Sequence, residues 1–264
     1  MATGSENIGM VLASGSPRRI EILRRYGLSF RVLPAEIDES IFPGEDVFAY
    51  CDRVAREKWL AVAARQSVFP GEILIAADTI VALERVRFGK PVSREDAFRM
   101  LRALSGRAHV VHTALVVGMK TSGGFSLTAT AADTTVNMAL LSEDLISAYV
   151  ESGDPFGKAG GYAIQNPDFR LVSSFAGCYA SVVGLPICHL DALLRRMHAA
   201  PAETAEKSCR YRLEGYCDLD CVALKRGMPV SRETVSAAAP VRNIKKENEL
   251  NRSEERRVGK ECRS

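Results

Sequence analysis

The chain has 264 residues, of which 47% are hydrophobic, and this is enough apolar material for the core of one large domain. The formal net charge is only +3, and the basic residues are spread along the chain, which argues against a general nucleic-acid binder. No stretch approaches the roughly 18 consecutive apolar residues of a membrane span, and the first residues lack the pattern of a secretion signal. Length and composition therefore predict a cytoplasmic enzyme that has neither a membrane nor a nucleic acid as its partner.

The first strong signal is the segment 12–19, which reads Leu-Ala-Ser-Gly-Ser-Pro-Arg-Arg. An apolar run over 8–12 predicts a buried strand before it, and apolar residues over 20–26 follow at helical spacing. Ser16 and Pro17 suit the N-cap and the first position of that helix. The free N–H groups of the first turn and two guanidinium groups would favour a bound phosphate. The alternative for so short a motif is a solvated helix start.

The next elements contain an acidic residue where none is expected. A short strand is predicted over 30–33, and a helix carries Arg56-Glu57-Lys58. The strand predicted over 73–81 is apolar except for Asp78 and Thr79.

A carboxylate in such a strand requires a compensating partner. Burial of an unpaired carboxylate is so unfavourable that Asp78 must meet a cation, a metal or hydrogen-bond donors, or take up a proton. Asp78 could instead cap the strand end. Because Glu39, Lys58 and Lys90 are available to converge on it, we interpret Asp78 as part of a functional site.

The second half of the chain predicts a long hairpin between helices. A helix over 94–104 has Ser93 as its N-cap, and strands over 110–119 and 126–138 are joined by a glycine turn. Further helices are predicted from Ser142 to about 152 and over 187–197. This alternation predicts an α/β fold, in which a long twisted mixed sheet with flanking helices forms two lobes around a cleft.

The sequence contains histidines and cysteines, which are the residue types that most often bind zinc. His109 and His112 lie three residues apart, which places them on opposite faces of a strand, so we interpret them as surface or structural residues. Buried thiols are expected within the enzyme-like region, and the later cysteines lack the C-x-x-C spacing of a zinc site. The thiols expected to be buried are Cys51, Cys178 and Cys188, and the later cysteines are Cys209, Cys217 and Cys221.

The composition changes after about residue 198. We divide the chain into a catalytic domain over 8–198 and an extension over 199–264. Residues 201–232 contain a few possible short strands, and the highly charged 243–264 should be disordered. The run 252–262 resembles a translated cloning remnant and is left out of the fold prediction.

Eight segments between about residues 8 and 198 resemble, in content and order, motifs of the Maf family of nucleoside triphosphate pyrophosphatases. They are Ser14-Gly15-Ser16-Pro17-Arg18-Arg19, the acidic segment 36–39, Arg56-Glu57-Lys58, Ala77-Asp78-Thr79, Gly89-Lys90-Pro91, Leu104-Ser105-Gly106, the segment 158–165 (Lys-Ala-Gly-Gly-Tyr-Ala-Ile-Gln) and Val183-Gly184-Leu185-Pro186. The resemblance implies a fold related to the inosine triphosphatase type. It also implies hydrolysis between the α and β phosphates, and the first and seventh segments look like the branch acting on dTTP and UTP.

The resemblance also implies residue roles. Asp78, Glu39, Lys58 and Lys90 would form the catalytic set, and Glu39 and Asp78 would hold Mg²⁺ or Mn²⁺. Substrate contacts would come from Ser14, Arg18, Thr79 and Gln165. The Gln165 carboxamide offers a donor and an acceptor to the edge shared by uracil and thymine.

Three further expectations accompany these roles. Asn166-Pro167-Asp168 follow Gln165 where family members commonly have glycines. A homodimer is among the expected states. The alternative function is a nucleotide-binding regulator of septum formation or cell division without significant turnover.

Overall fold

The computed structural model describes residues 9–202, Ala205 and 231–236, the last segment as backbone only. The predictions for Cys209, Cys217, Cys221 and the charged end of the chain concern residues outside this part. Within it, no helix is both long and apolar enough to span a bilayer.

One mixed sheet organises the described part of the chain. Its eight strands are β1 (Met10–Leu12), β2 (Arg31–Val32), β3 (Ile73–Leu83), β4 (Val86–Phe88), β5 (Ala108–Thr121), β6 (Gly124–Met138), β7 (Val172–Ala176) and β8 (Ser231–Ser236). The main order is β2-β1-β3-β5-β6-β7, with β4 paired to β3 and β8 paired to β6. β1 runs parallel to β2 and β3, and all other pairs are antiparallel. The predicted α/β fold with a mixed sheet and flanking helices is confirmed.

Six helices flank this sheet within the described residues. They are α1 (Pro17–Arg25), α2 (Val47–Ala63), α3 (Arg94–Leu104), α4 (Glu143–Glu151), α5 (Tyr179–Val183) and α6 (Ile187–Arg196). Ser93 and Ser142 cap α3 and α4 as predicted, because each side chain accepts a first-turn backbone N–H. Ser16 also occupies its predicted N-cap position, but its side chain makes no capping bond. Its own N–H is accepted by Ser14 Oγ at 3.3 Å.

The helices form layers on both faces of β3, which is why that strand is apolar almost throughout. Ile73, Ile75 and Ala77 pack against α1, α5 and α6, whereas Leu74 and Ala76 pack against α2. α3 and α4 cover the far ends of β3, β5 and β6. A strand buried on both faces reads as a continuous hydrophobic run rather than an alternating one.

The sheet has a gap beside the middle of β3. β1 pairs with Ile73–Ile75, and β4 pairs with Val81–Leu83. Between them, residues 76–80 pair with β5 on one side only. Gly160, at φ +71°, brings a loop against this edge, since a Cβ there would lie 3.0 Å from Val81 Cγ2. The gap therefore leaves Asp78 and Thr79 beside loops rather than beside another strand.

β8 comes from the C-terminal extension. Ser231–Ser236 pairs in antiparallel register with residues 124–129 of β6, next to the hairpin turn. The described part of the extension thus adds to the sheet of the preceding domain, and the division near residue 198 does not separate two independent sheets.

Both histidines of β5 are buried, so their interpretation as possible surface residues was wrong and the structural one holds. His109 lies 2.6 Å from the Tyr162 hydroxyl on one face, and burial lowers its pKa to about 4. His112 lies on the other face, with its ring nitrogens 2.5 Å from Asp133 and 3.3 Å from Asp52. Burial would lower the pKa of His112, but these two hydrogen bonds outweigh it and raise the pKa to about 9. The expected opposite faces follow from the odd spacing.

Candidate active site

A cavity of about 410 Å³ lies at the gap in the sheet. Its lining includes all eight residues chosen from the sequence: Ser14, Arg18, Glu39, Lys58, Asp78, Thr79, Lys90 and Gln165. They come from the loop after β1, the first turn of α1, the loop before α2, α2 itself, β3, the turn after β4 and the loop before β7. Segments far apart in the sequence thus meet around one cavity.

Asp78 is buried and paired with a lysine. Its side chain is 11% exposed, and Oδ1 lies 2.7 Å from Lys58 Nζ. The same ammonium lies 2.9 Å from Glu39 Oε1, whose side chain is half exposed. Lys58 therefore bridges the two carboxylates. The expectation that a buried Asp78 must meet a compensating partner is satisfied by this ion pair.

A thiol contacts the second oxygen of Asp78. Cys51 Sγ lies 3.6 Å from Asp78 Oδ2 and is fully buried in α2. Burial raises the pKa of the Cys51 thiol well above its usual value, so the group stays protonated and can donate. Cys51, Cys178 and Cys188 are all buried, as predicted.

The two arginines of α1 have different surroundings. Arg18 is half-buried at the cavity, and burial lowers its pKa while the nearby Asp154 carboxylate opposes this shift. Arg19 is only 8% exposed, and all three of its donor groups bind protein oxygens. They donate to Gly184 O at 2.8 Å, to Ser14 Oγ at 3.1 Å and to Thr79 Oγ1 at 3.1 Å. Arg19 thus ties α1 to β3 and to the end of α5, and each of its three nitrogens is already bonded to the protein.

Thr79 takes part in a chain of hydroxyl contacts. Its Oγ1 accepts from Arg19 and lies 3.0 Å from Thr113 Oγ1 on the neighbouring strand β5. Thr113 Oγ1 donates to Ser181 O in α5 at 2.8 Å. The Thr79 side chain is half-buried and reaches the cavity, whereas Thr113 is fully buried behind it.

The loop that carries Gln165 is held by an acidic side chain. Asp154 accepts from Tyr149 Oη at 2.6 Å, from Lys158 Nζ at 3.0 Å and from Asn166 Nδ2 at 3.0 Å. Asn166 Oδ1 also accepts the backbone N–H groups of residues 168 and 169. The departure from the glycine-rich family pattern therefore forms a closed turn directly after Gln165.

Sequence reasoning missed Lys158 as a candidate cation. It lines the cavity beside the Gly160-Gly161 turn, although it lay within a motif already noted. Five cationic side chains and two carboxylates now line the cavity: Arg18, Arg19, Lys58, Lys90 and Lys158, with Glu39 and Asp78. A cavity with this excess of positive charge suits a polyanionic ligand.

Comparisons with known proteins identify the family of this chain. The model of the family described as Maf-like protein matches residues 9–197. The chain belongs to the Maf-like family. It is 47% identical over 188 residues to the dTTP/UTP pyrophosphatase of Anaeromyxobacter dehalogenans (strain 2CP-C), which covers 71% of this chain and 93% of that protein.

Other relatives carry the same description. The dTTP/UTP pyrophosphatase of Chromobacterium violaceum is 46% identical over 187 residues, or 69% of this chain and 91% of that protein. The one from Geobacter sulfurreducens is 43% identical over 190 residues, or 72% and 97%. The Maf-like match includes all eight chosen residues and ends before β8. The family resemblance inferred from the sequence is confirmed.

Proposed function

We propose that this protein hydrolyses nucleoside triphosphates, with dTTP and UTP preferred, to the monophosphate and pyrophosphate. The observation that carries the proposal is the buried Asp78–Lys58 pair within a cavity whose charged side chains are mostly cationic. Relatives described as dTTP/UTP pyrophosphatases support both the reaction and the choice of base.

The charges of the cavity suit attack on the α-phosphorus. Arg18, Lys90 and Lys158 would neutralise the phosphates and stabilise the leaving pyrophosphate. Asp78 would orient the attacking water and accept its proton, since it is the carboxylate held on the rigid central strand. Lys58, bonded to both Asp78 and Glu39, would fix the positions of the two carboxylates.

A divalent cation fits the two carboxylates. Glu39 and Asp78 supply hard oxygen donors to the same cavity, and their shared contact with Lys58 brings them together. In the described residues no cluster of three or more His, Cys, Asp or Glu side chains is placed to hold an ion. Mg²⁺ or Mn²⁺ would therefore be held by Glu39 and Asp78 with phosphate oxygens and water, and would supply charge neutralisation at the phosphates.

Base recognition would use other polar side chains of the same cavity. Thr79 and Gln165 line it together with Arg18, and each offers a polar group to a base edge. No hydrogen bond within the described part of the chain holds the Gln165 carboxamide, so this amide remains available to a ligand. A cytoplasmic location and a homodimer stay predictions.

The test is a panel of nucleotides assayed for pyrophosphate release with and without Mg²⁺ or Mn²⁺. We expect release from UTP and dTTP that exceeds release from CTP, ATP and GTP and that depends on the metal. Asp78→Asn serves as the inactive control. Binding of UTP without pyrophosphate release would contradict the proposal and would instead favour a binding protein without turnover.

A further inference from the structure

The direction of the hydrogen bonds from Arg19 to Ser181 is fixed by the number of protons available. A guanidinium only donates, so Thr79 Oγ1 is the acceptor in its 3.1 Å contact with Arg19. A threonine hydroxyl has a single proton, and that of Thr113 is used in the 2.8 Å bond to Ser181 O. The 3.0 Å contact between Thr79 and Thr113 must therefore use the proton of Thr79.

This direction determines what Thr79 can offer to a ligand. Its proton points away from the cavity towards Thr113, and one of its lone pairs is occupied by Arg19. The group left for a ligand is a single acceptor lone pair. Thr113 is fully buried and Arg19 nearly so, so water does not readily replace either partner.

We propose that Thr113 is a positioning residue that makes Thr79 an obligate hydrogen-bond acceptor, so that the cavity selects a base presenting an N–H at that point. Uracil and thymine carry a proton on N3, whereas N3 of cytosine is an acceptor. An acceptor placed against cytosine N3 leaves two lone pairs facing each other, which disfavours binding of CTP. This inference rests on the proposed placement of the base beside Thr79.

Gln165 cannot supply this discrimination by itself. Its carboxamide carries both a donor and an acceptor, and rotation by about 180° exchanges them. Thr79 lacks this freedom because Arg19 and Thr113 fix it from two sides. Fixed polarity in a buried group is what allows a site to reject the wrong partner strongly.

The test is Thr113→Val, which keeps the shape of the side chain and removes its oxygen. Ser181 O loses the Thr113 donor but still accepts the N–H of Gly184 at 2.9 Å, so this carbonyl keeps a hydrogen-bond partner. The proton of Thr79 then loses its acceptor and can turn towards the cavity. We expect the ratio of kcat/KM for UTP over CTP to fall about tenfold, through a lower KM for CTP and a higher KM for UTP.

Two variants control for packing. Thr113→Ser keeps the hydroxyl and should keep the wild-type preference for UTP. Thr134→Val removes another fully buried hydroxyl, which donates to Cys178 O and accepts the Cys178 N–H at the start of α5, and should leave the ratio unchanged. If Thr113→Val does not fold, Thr113→Cys substitutes a weak acceptor and should give a ratio between those of valine and wild type.

The outcomes separate this inference from the function on which it rests. A wild-type protein that hydrolyses UTP and CTP equally well would contradict the proposed base preference. If the wild type prefers UTP and Thr79→Val loses the preference while Thr113→Val keeps it, the role of Thr79 stands and that of Thr113 is overturned. Equal losses on both nucleotides in Thr113→Val would also overturn it, because they would indicate a purely structural residue.

Discussion

Replacement of Asp78 by Asn tests the centre of the site, because it removes a charge while keeping the size of the side chain. Loss of a general base typically slows a reaction about 10²- to 10⁴-fold, which corresponds to roughly 3–5 kcal/mol of transition-state stabilisation. We therefore expect pyrophosphate release from UTP to fall by at least a hundredfold in Asp78→Asn. Pyrophosphate release is measured at saturating UTP, so that a change in binding does not imitate a change in turnover.

The same substitution should lower stability. Removing one member of a buried ion pair costs about 3–5 kcal/mol, and both side chains of the Asp78–Lys58 pair are nearly buried, at 11% and 12% exposure. Lys58 keeps its 2.9 Å contact with Glu39, and an asparagine carbonyl can still accept from it, so we expect a loss of about 1–3 kcal/mol. Denaturant unfolding measures this value.

Glu39→Gln is the matched control for charge removal. Its side chain is 49% exposed, so the loss of its contact with Lys58 should cost less than about 1 kcal/mol. Turnover within tenfold of wild type in Asp78→Asn would refute the proposed role of this carboxylate. A gain in stability in Asp78→Asn would refute the view that Lys58 compensates the charge of Asp78.

Three further predictions follow from other parts of the structure. Lys90→Ala should reduce kcat/KM about 10- to 100-fold for UTP, CTP and ATP alike, because all three carry the same phosphates. A loss confined to pyrimidine nucleotides would contradict the role of Lys90 at the phosphates. His112, with a pKa of about 9 against roughly 6.5 when unfolded, stabilises the protein below pH 6.5, and this contribution of at most about 3 kcal/mol should disappear as the pH rises through 9. The fall in Tm between pH 6.5 and 9 should be smaller in His112→Gln than in the wild type. The same dependence of Tm on pH in both proteins would contradict this role of His112. Truncation after Ala200 removes β8 and the buried Ala205, so Tm should fall by about 2–4 °C for each 1 kcal/mol of stability lost. UTP turnover should be kept, because no described residue beyond Gly184 lines the cavity. An unchanged Tm would mean that the strand adds no stability.

Local signals in the sequence were sufficient for much of the fold. Ser93 predicted the start of α3 because an N-cap acts within one turn of its own helix. The long hairpin of β5 and β6 was predicted because its strands and its glycine turn are adjacent in the chain. The choice of Asp78 followed from the cost of a buried charge, which depends on the strand around it.

The remaining features depend on distant partners. Arg18 and Arg19 are equivalent in the sequence, and the inward position of Arg19 is set by a carbonyl 165 residues away at Gly184. The raised pKa of His112 depends on Asp52 and Asp133, which lie on α2 and β6. The sequence did not predict β8 as part of this sheet, because its pairing partner β6 is far away in the chain.

The gap beside β3 also brings a rigid strand and an irregular loop to the same cavity. Asp78 and Thr79 cannot shift without disturbing their pairing with Ala114 and Thr113, so the strand keeps both side chains in place. The loop that ends in the Asn166 turn crosses the open edge and belongs to no strand. Exchange of that loop can therefore change the part of substrate choice that depends on Gln165 while Asp78 and Thr79 are inherited unchanged, and the loop is the place to begin a redesign of the enzyme for other nucleotides.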